Sequence, residues 1–105
     1  MSEDHKLGGN ITLSGFDLEA VEMIVVRKII GSQVKKLSEI CDYDSVNLTM
    51  RKSQHGKAFL HDLKANVNLK SGAPLVSEVS DYNLYTALSE ILNKIIKQAE
   101  HNLKQ

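Results

Sequence analysis

Four histidines, His5, His55, His61 and His101, and a lone cysteine, Cys41, are the side chains best suited to metal binding or nucleophilic catalysis. The histidines are scattered, and none pairs with another at ligand spacing, so no metal site is expected. Cys41 has no partner motif and no internal disulfide partner, and it reads as a small buried hydrophobe in a reducing compartment. No G-x-S-x-G elbow is present, and Leu7-Gly8-Gly9 and Ser71-Gly72 are too short to cradle a phosphate in the P-loop manner. His61 interrupts an otherwise apolar strand face and reads as a partly buried, hydrogen-bonded residue. Asp81 is better explained as a helix cap than as half of a carboxylate pair with Glu78. The expectation is therefore no catalytic residue, no cofactor, no small-molecule substrate and no enzyme.

The basic residues carry more information. Thirteen Lys+Arg balance thirteen Asp+Glu, but residues 1–50 hold five basic and eight acidic side chains, and residues 51–105 hold eight and five. Arg27, Lys28, Lys35 and Lys36 form two pairs a heptad apart. Lys94, Lys97, His101 and Lys104 recur at three- and four-residue steps and make one stripe on a helix. If the two helices lie side by side, these groups could merge into a surface that binds phosphates through counterion release. Exposed lysines also simply keep a protein soluble, and composition alone favours that plainer explanation.

The elements that must position these groups follow from periodicity. Asn10–Ser14 alternates as a short strand. A helix is expected from about Leu18 to Ile40, capped by Asp17, with Glu19 and Glu22 in its first turn. Its apolar stripe is expected to comprise Leu18, Val21, Val25, Ile29, Ile30, Val34, Leu37 and Cys41. Gly31 inside it costs on the order of 1 kcal/mol relative to alanine, which close packing or a local bend would explain. Ser45–Arg51 reads as a strand, Lys52–Lys57 as a polar loop, and Phe59–Lys70 as a long strand with one apolar and one polar face. Leu75–Val79 is a further strand after the Ser71–Pro74 turn. Ser80–Asn83 offers cap chemistry for a last helix, with Leu84, Leu88, Ile91, Leu92, Ile95, Ile96, Ala99 and Leu103 inward.

Strands with one apolar face require both helices on the same side of the sheet. The fold class is thus α+β, a two-layer β-α-β-β-β-α sandwich with a four-stranded sheet. One domain is expected over residues 10–105, behind a flexible N-terminal extension at 1–9. The chain's 42% hydrophobic content argues against disorder. No apolar run approaches a membrane span, and the polar, acidic start does not read as a secretory signal, so a cytoplasmic protein is expected.

This order of elements resembles the ribosome hibernation promoting factor family, which includes the ribosome-associated inhibitor proteins. Val26–Ile30 continuing through Lys35–Glu39 is similar to that family's first helix, and Asp44–Arg51 to its second strand. Ser77-Glu78-Val79-Ser80-Asp81-Tyr82-Asn83-Leu84-Tyr85-Thr86-Ala87-Leu88, continuing through Asn93–Gln98, is similar to its fourth strand and second helix. Asn83 stands where the family usually has Asp, and the dense basic tail is lacking. The resemblance implies a short-form factor that binds the small ribosomal subunit in the messenger and transfer RNA channel and blocks translation under stress. It nominates Arg27, Lys36, Lys94 and Lys97 as contacts with ribosomal RNA, with Lys28, Lys35 and His101 joining by proximity. Tyr85 matches a family position and reads as core packing.

Two rivals remain. A double-stranded RNA-binding module shares the two-layer plan but needs a lysine-rich start to its last helix, where this chain has Asp81-Tyr82-Asn83-Leu84. A protein-interaction module, or a homo-oligomer paired along an open sheet edge, is the other. The polar sheet face carries no aromatics on its well-patterned strands, which speaks against base stacking there.

Overall fold

Period-two alternation makes each strand one-faced, and the computed structural model, which describes residues 5–7 and 10–103, aligns those faces. The elements are β1 (His5–Leu7), β2 (Ile11–Ser14), α1 (Ala20–Ile40), β3 (Tyr43–His55), β4 (Ala58–Leu69), β5 (Leu75–Asp81) and α2 (Leu84–Leu103). The sheet order is β1-β2-β3-β4-β5; β2 and β3 run parallel through the α1 crossover, and the other neighbours are antiparallel. Register stacks Leu13 on Leu48, Leu48 on Ala65 and Ala65 on Ser77, and one step along puts Met50 on Leu63 and Leu63 on Val79. These residues are buried in one core with Val26, Ile30, Leu37, Leu88, Ile91 and Ile95 from the helices. The two-layer α+β plan and the β-α-β-β-β-α order are those expected.

The four expected strands are joined by a fifth. His5–Leu7 lies within the segment assigned to a flexible extension, but its backbone pairs antiparallel with β2, His5 opposite Leu13 and Leu7 opposite Ile11. Three residues are too few for alternation to reveal a strand. The connection passes through Asn10, whose φ of 63° lies in the left-handed region that asparagine tolerates.

The polar loop expected at Lys52–Lys57 is also strand. β3 runs on to His55, β4 begins at Ala58, and Gly56-Lys57 alone connects them, Gly56 with φ 66°. Two-residue hairpin connections favour positive φ because it matches the twist of the flanking strands. Every residue from Arg51 to Phe59 is exposed. The strands there form a ribbon that outruns the helices, within a molecule measuring 45 × 24 × 21 Å.

Helix α1 starts at Ala20, two residues later than expected, and Asp17 is not its cap. Instead the Glu22 carboxylate accepts from the Glu19 N–H at 3.2 Å, the reciprocal half of a capping box. The buried face also differs. Met23, Val26, Ile30, Val34 and Leu37 point inward, whereas Val21 is 71% exposed, and Ile24 and Val25 are exposed as well. Two apolar stripes overlap in this half of the helix. Only the Met23 stripe continues at steps of three and four down to Leu37 without drifting, so it takes the core. Close packing does not explain Gly31, because a Cβ there would meet nothing within 4 Å and the helix runs through it unbroken.

At α2 the cap is Asn83, whose Oδ1 accepts from the Thr86 N–H at 3.0 Å. Asp81, expected to cap, instead accepts from the Asn83 N–H at 2.8 Å and braces the turn. The residues of α2 expected inward are buried through Ala99, and Ala87 joins them.

Candidate nucleic-acid interface

Where α1 and α2 lie on the sheet decides which basic side chains share a surface. Both helices end beside each other, for Ile40 and Cys41 line a cleft with Ala99 and Asn102. Further back, Gln33 lines a groove with Tyr85, Ser89 and Asn93. Gln33 and Ile40 therefore mark the side of α1 that faces α2. On the far side of α2, Gln98 Nε2 donates to the Val76 carbonyl of β5 at 2.7 Å, filling an acceptor on an edge strand.

Those anchors locate the seven expected contacts, all of which are exposed. With about 100° of turn per residue, Lys36 sits on the shoulder of α1 that faces α2. Lys28 and Lys35 lie on its crest, and Arg27 lies on the opposite shoulder, toward β2. Lys97 lies on the crest of α2. Lys94 turns toward the β5 flank, where Glu90 sits one turn away with Oε1 4.0 Å from its Nζ. Lys97 and His101 line a cleft with Ser71, Gly72, Ala73 and Pro74. The structure thus gathers Lys28, Lys35, Lys36 and Lys97 on the outer surface of the helical layer. It sets Arg27 and Lys94 on opposite flanks. Lys104 lies outside the described residues.

The other sheet face is polar. Lys64 Nζ approaches Glu78 Oε1 at 3.8 Å across β4 and β5, and the Ser80 hydroxyl donates to Asp62. Asn68 donates to the Ser45 hydroxyl at 2.9 Å. These pairs tie the strands to each other, while the Asn66 Oδ1 on the same face is buried without a hydrogen-bond partner. His61 is partly buried, its Nδ1 3.3 Å from the Asp81 carbonyl, as expected for a satisfied histidine. Cys41 is only partly buried at the core margin, and burial together with the Asp42 carboxylate pushes its thiol pKa up, which makes it a poor nucleophile at neutral pH. Among the described residues, no three His, Cys, Asp or Glu side chains converge as metal ligands, and no helix is long and apolar enough to cross a membrane.

The ribbon is the part of the surface that sequence reasoning missed. Lys52 Nζ lies 4.9 Å from the Phe59 ring centroid, and the His55 and Tyr82 rings meet edge-on at 6.4 Å. The usable signal was the run Arg51–Leu60, basic and without a single acid, with a glycine at its centre.

The architecture is a two-layer α+β domain with a solvated polar sheet face and lysines on its helical layer. Comparison with solved structures places the chain within one such fold. It is similar to a ribosomal subunit interface protein from Coxiella burnetii, at 16% identity and a TM-score of 0.60, covering 91% of this chain and 97% of that one. It is also similar to the Protein Y N-terminal domain of Thermus thermophilus, at 17% identity and a TM-score of 0.57, covering 88% and 92%. No family model and no curated protein sequence matches. The fold expected from the sequence resemblance is the fold found.

Proposed function

We propose that this protein is a ribosome-binding translation inhibitor that occupies the messenger and transfer RNA channel of the small subunit under stress, in the cytoplasm and without enzymatic activity. The observation that carries this reading is the fold, shared over nine-tenths of the chain with a ribosomal subunit interface protein. The exposed lysines of the helical layer support it. The mechanism is steric: phosphate contacts hold the domain where RNA would pass, and no bond is made or broken. Lys28, Lys35, Lys36 and Lys97 form the central contact, and Arg27, Lys94 and His101 extend it along both flanks.

Co-sedimentation with purified ribosomal subunits across a salt series tests the reading. Pelleting with the small subunit should weaken steeply with salt, because each neutralised phosphate releases a counterion. Messenger and transfer RNA should compete. Lys94→Glu combined with Lys97→Glu should abolish binding while the circular dichroism spectrum is unchanged. Unaltered pelleting of that variant would remove the proposed surface. A protein-interaction reading draws on Val21, Ile24 and Val25, exposed together on one face of α1. Complexes that resist both salt and nuclease would favour it.

A further inference from the structure

A two-stranded ribbon with both faces in water gains little from burial and is marginal by itself. The distal half of β3 and β4 is such a ribbon, exposed continuously from Arg51 to Phe59. Its ten residues from Arg51 to Leu60 include Arg51, Lys52, Lys57 and His55 and no carboxylate. The register then divides its side chains. Lys52 and Phe59 continue the face that carries Met50 and Leu63, and His55 lies on the opposite face, where Tyr82 meets it. Phe59 is 44% exposed and Tyr82 56% exposed. Each face of the ribbon therefore offers one accessible aromatic ring beside a basic or imidazole group.

We infer that the β3–β4 ribbon is a second RNA-binding element, which grips single-stranded RNA by stacking an unpaired base on Phe59 while Lys52 and Lys57 hold the adjoining phosphates. The chemistry on the ribbon favours RNA over protein. Asp62 lies across the ladder from Arg51 on the other face, whereas Lys52 and Lys57 complement a phosphate backbone beside an aromatic face that accepts any base. Lys52 already poises a cation over one side of the Phe59 ring, which leaves the other side for a base. Tyr82 supplies a second platform on the opposite face. The open sheet face lacks such rings on its paired strands, which restricts stacking to this end of the molecule. The inference extends the ribosome-binding reading but does not use the helix lysines, so the two can fail separately.

The test is fluorescence anisotropy with a labelled single-stranded uridine oligoribonucleotide of about twelve nucleotides. Wild type should bind in a salt-dependent manner. Phe59→Leu, which keeps an apolar side chain at an exposed site, should weaken binding by about tenfold, and Phe59→Trp should restore it, since one stacked base is worth about that much. A duplex of the same length should show no dependence on Phe59. If the oligonucleotide does not bind, or binds equally to all three proteins, the ribbon is not an RNA element, whatever the subunit sedimentation shows. Phe59 dependence without subunit pelleting would support the ribbon and overturn the ribosomal assignment. A photocrosslinker placed at Gln54, directly across the ladder from Phe59, should label RNA in a ribosomal extract; labelling of proteins alone would overturn the inference.

Discussion

The strands β3 and β4 change character at Met50 and Leu63. On the body side of that pair, Val46, Leu48, Ala65 and Val67 are buried on one face while Asn47, Thr49 and Lys64 meet water on the other. Beyond it, the same two strands keep their register for five more pairs, and every β3 residue among them is exposed. One hydrogen-bonded ladder thus serves two ends. The body half is held by a core, and the distal half by strand pairing and by surface contacts such as Lys52–Phe59 and His55–Tyr82. Backbone continuity does not make the halves equally stable, and local opening should concentrate in the ribbon.

The largest effect that would sharpen this contrast comes from Leu48, fully buried at the centre of the sheet. Leu48→Ala should cost about 2–5 kcal/mol, from lost transfer energy and the cavity left behind. Denaturant unfolding monitored by circular dichroism would measure it. A loss under about 1 kcal/mol would mean that the body half is packed no better than the ribbon.

Gly15 guards the boundary between the halves. Its φ is 77°, and a Cβ there would collide with the Met50 carbonyl oxygen, a backbone atom that cannot swing aside. Gly15→Ala should therefore destabilise by about 1–3 kcal/mol from the left-handed backbone, with the collision adding to it. Gly31 is the contrast on α1, exposed and with open space where a Cβ would go. Gly31→Ala should stabilise by about 1 kcal/mol, again by denaturant unfolding. Equal effects of the two substitutions would show that the turn after β2 is not braced against Met50.

These differences also mark what was legible in the sequence. The body strands and α2 could be read because burial on one side forces alternation or a helical stripe, and the pattern survives in a single sequence. The ribbon could not, because a strand exposed on both faces has no apolar period; Lys52–Lys57 looked like a loop for that reason. The inward face of α1 was ambiguous because Val21, Ile24 and Val25 compete with Met23 and Val26, and only the continuous stripe to Leu37 resolves the choice. For the candidate interface, the helix assignments of Arg27, Lys28, Lys35, Lys36, Lys94, Lys97 and His101 were readable. Which flank each occupies depends on the α1–α2 packing marked by Gln33, Ile40 and Gln98, and helical spacing alone does not contain it.

The smallest expected effect is the most discriminating. Phe59 is in the ribbon, half out in water, and contacts Lys52 rather than the core. Phe59→Leu should change global stability by less than about 0.5 kcal/mol, as substitutions outside packed sites do. If that holds while Leu48→Ala is costly, an aromatic ring at position 59 contributes little to folding, and its exposure beside Lys52 calls for a binding explanation. If instead Phe59→Leu unfolds the protein at markedly lower denaturant, the ribbon is folded as tightly as the body. The cation–ring contact would then be structural, and the division at Met50 would mark only where the helices end.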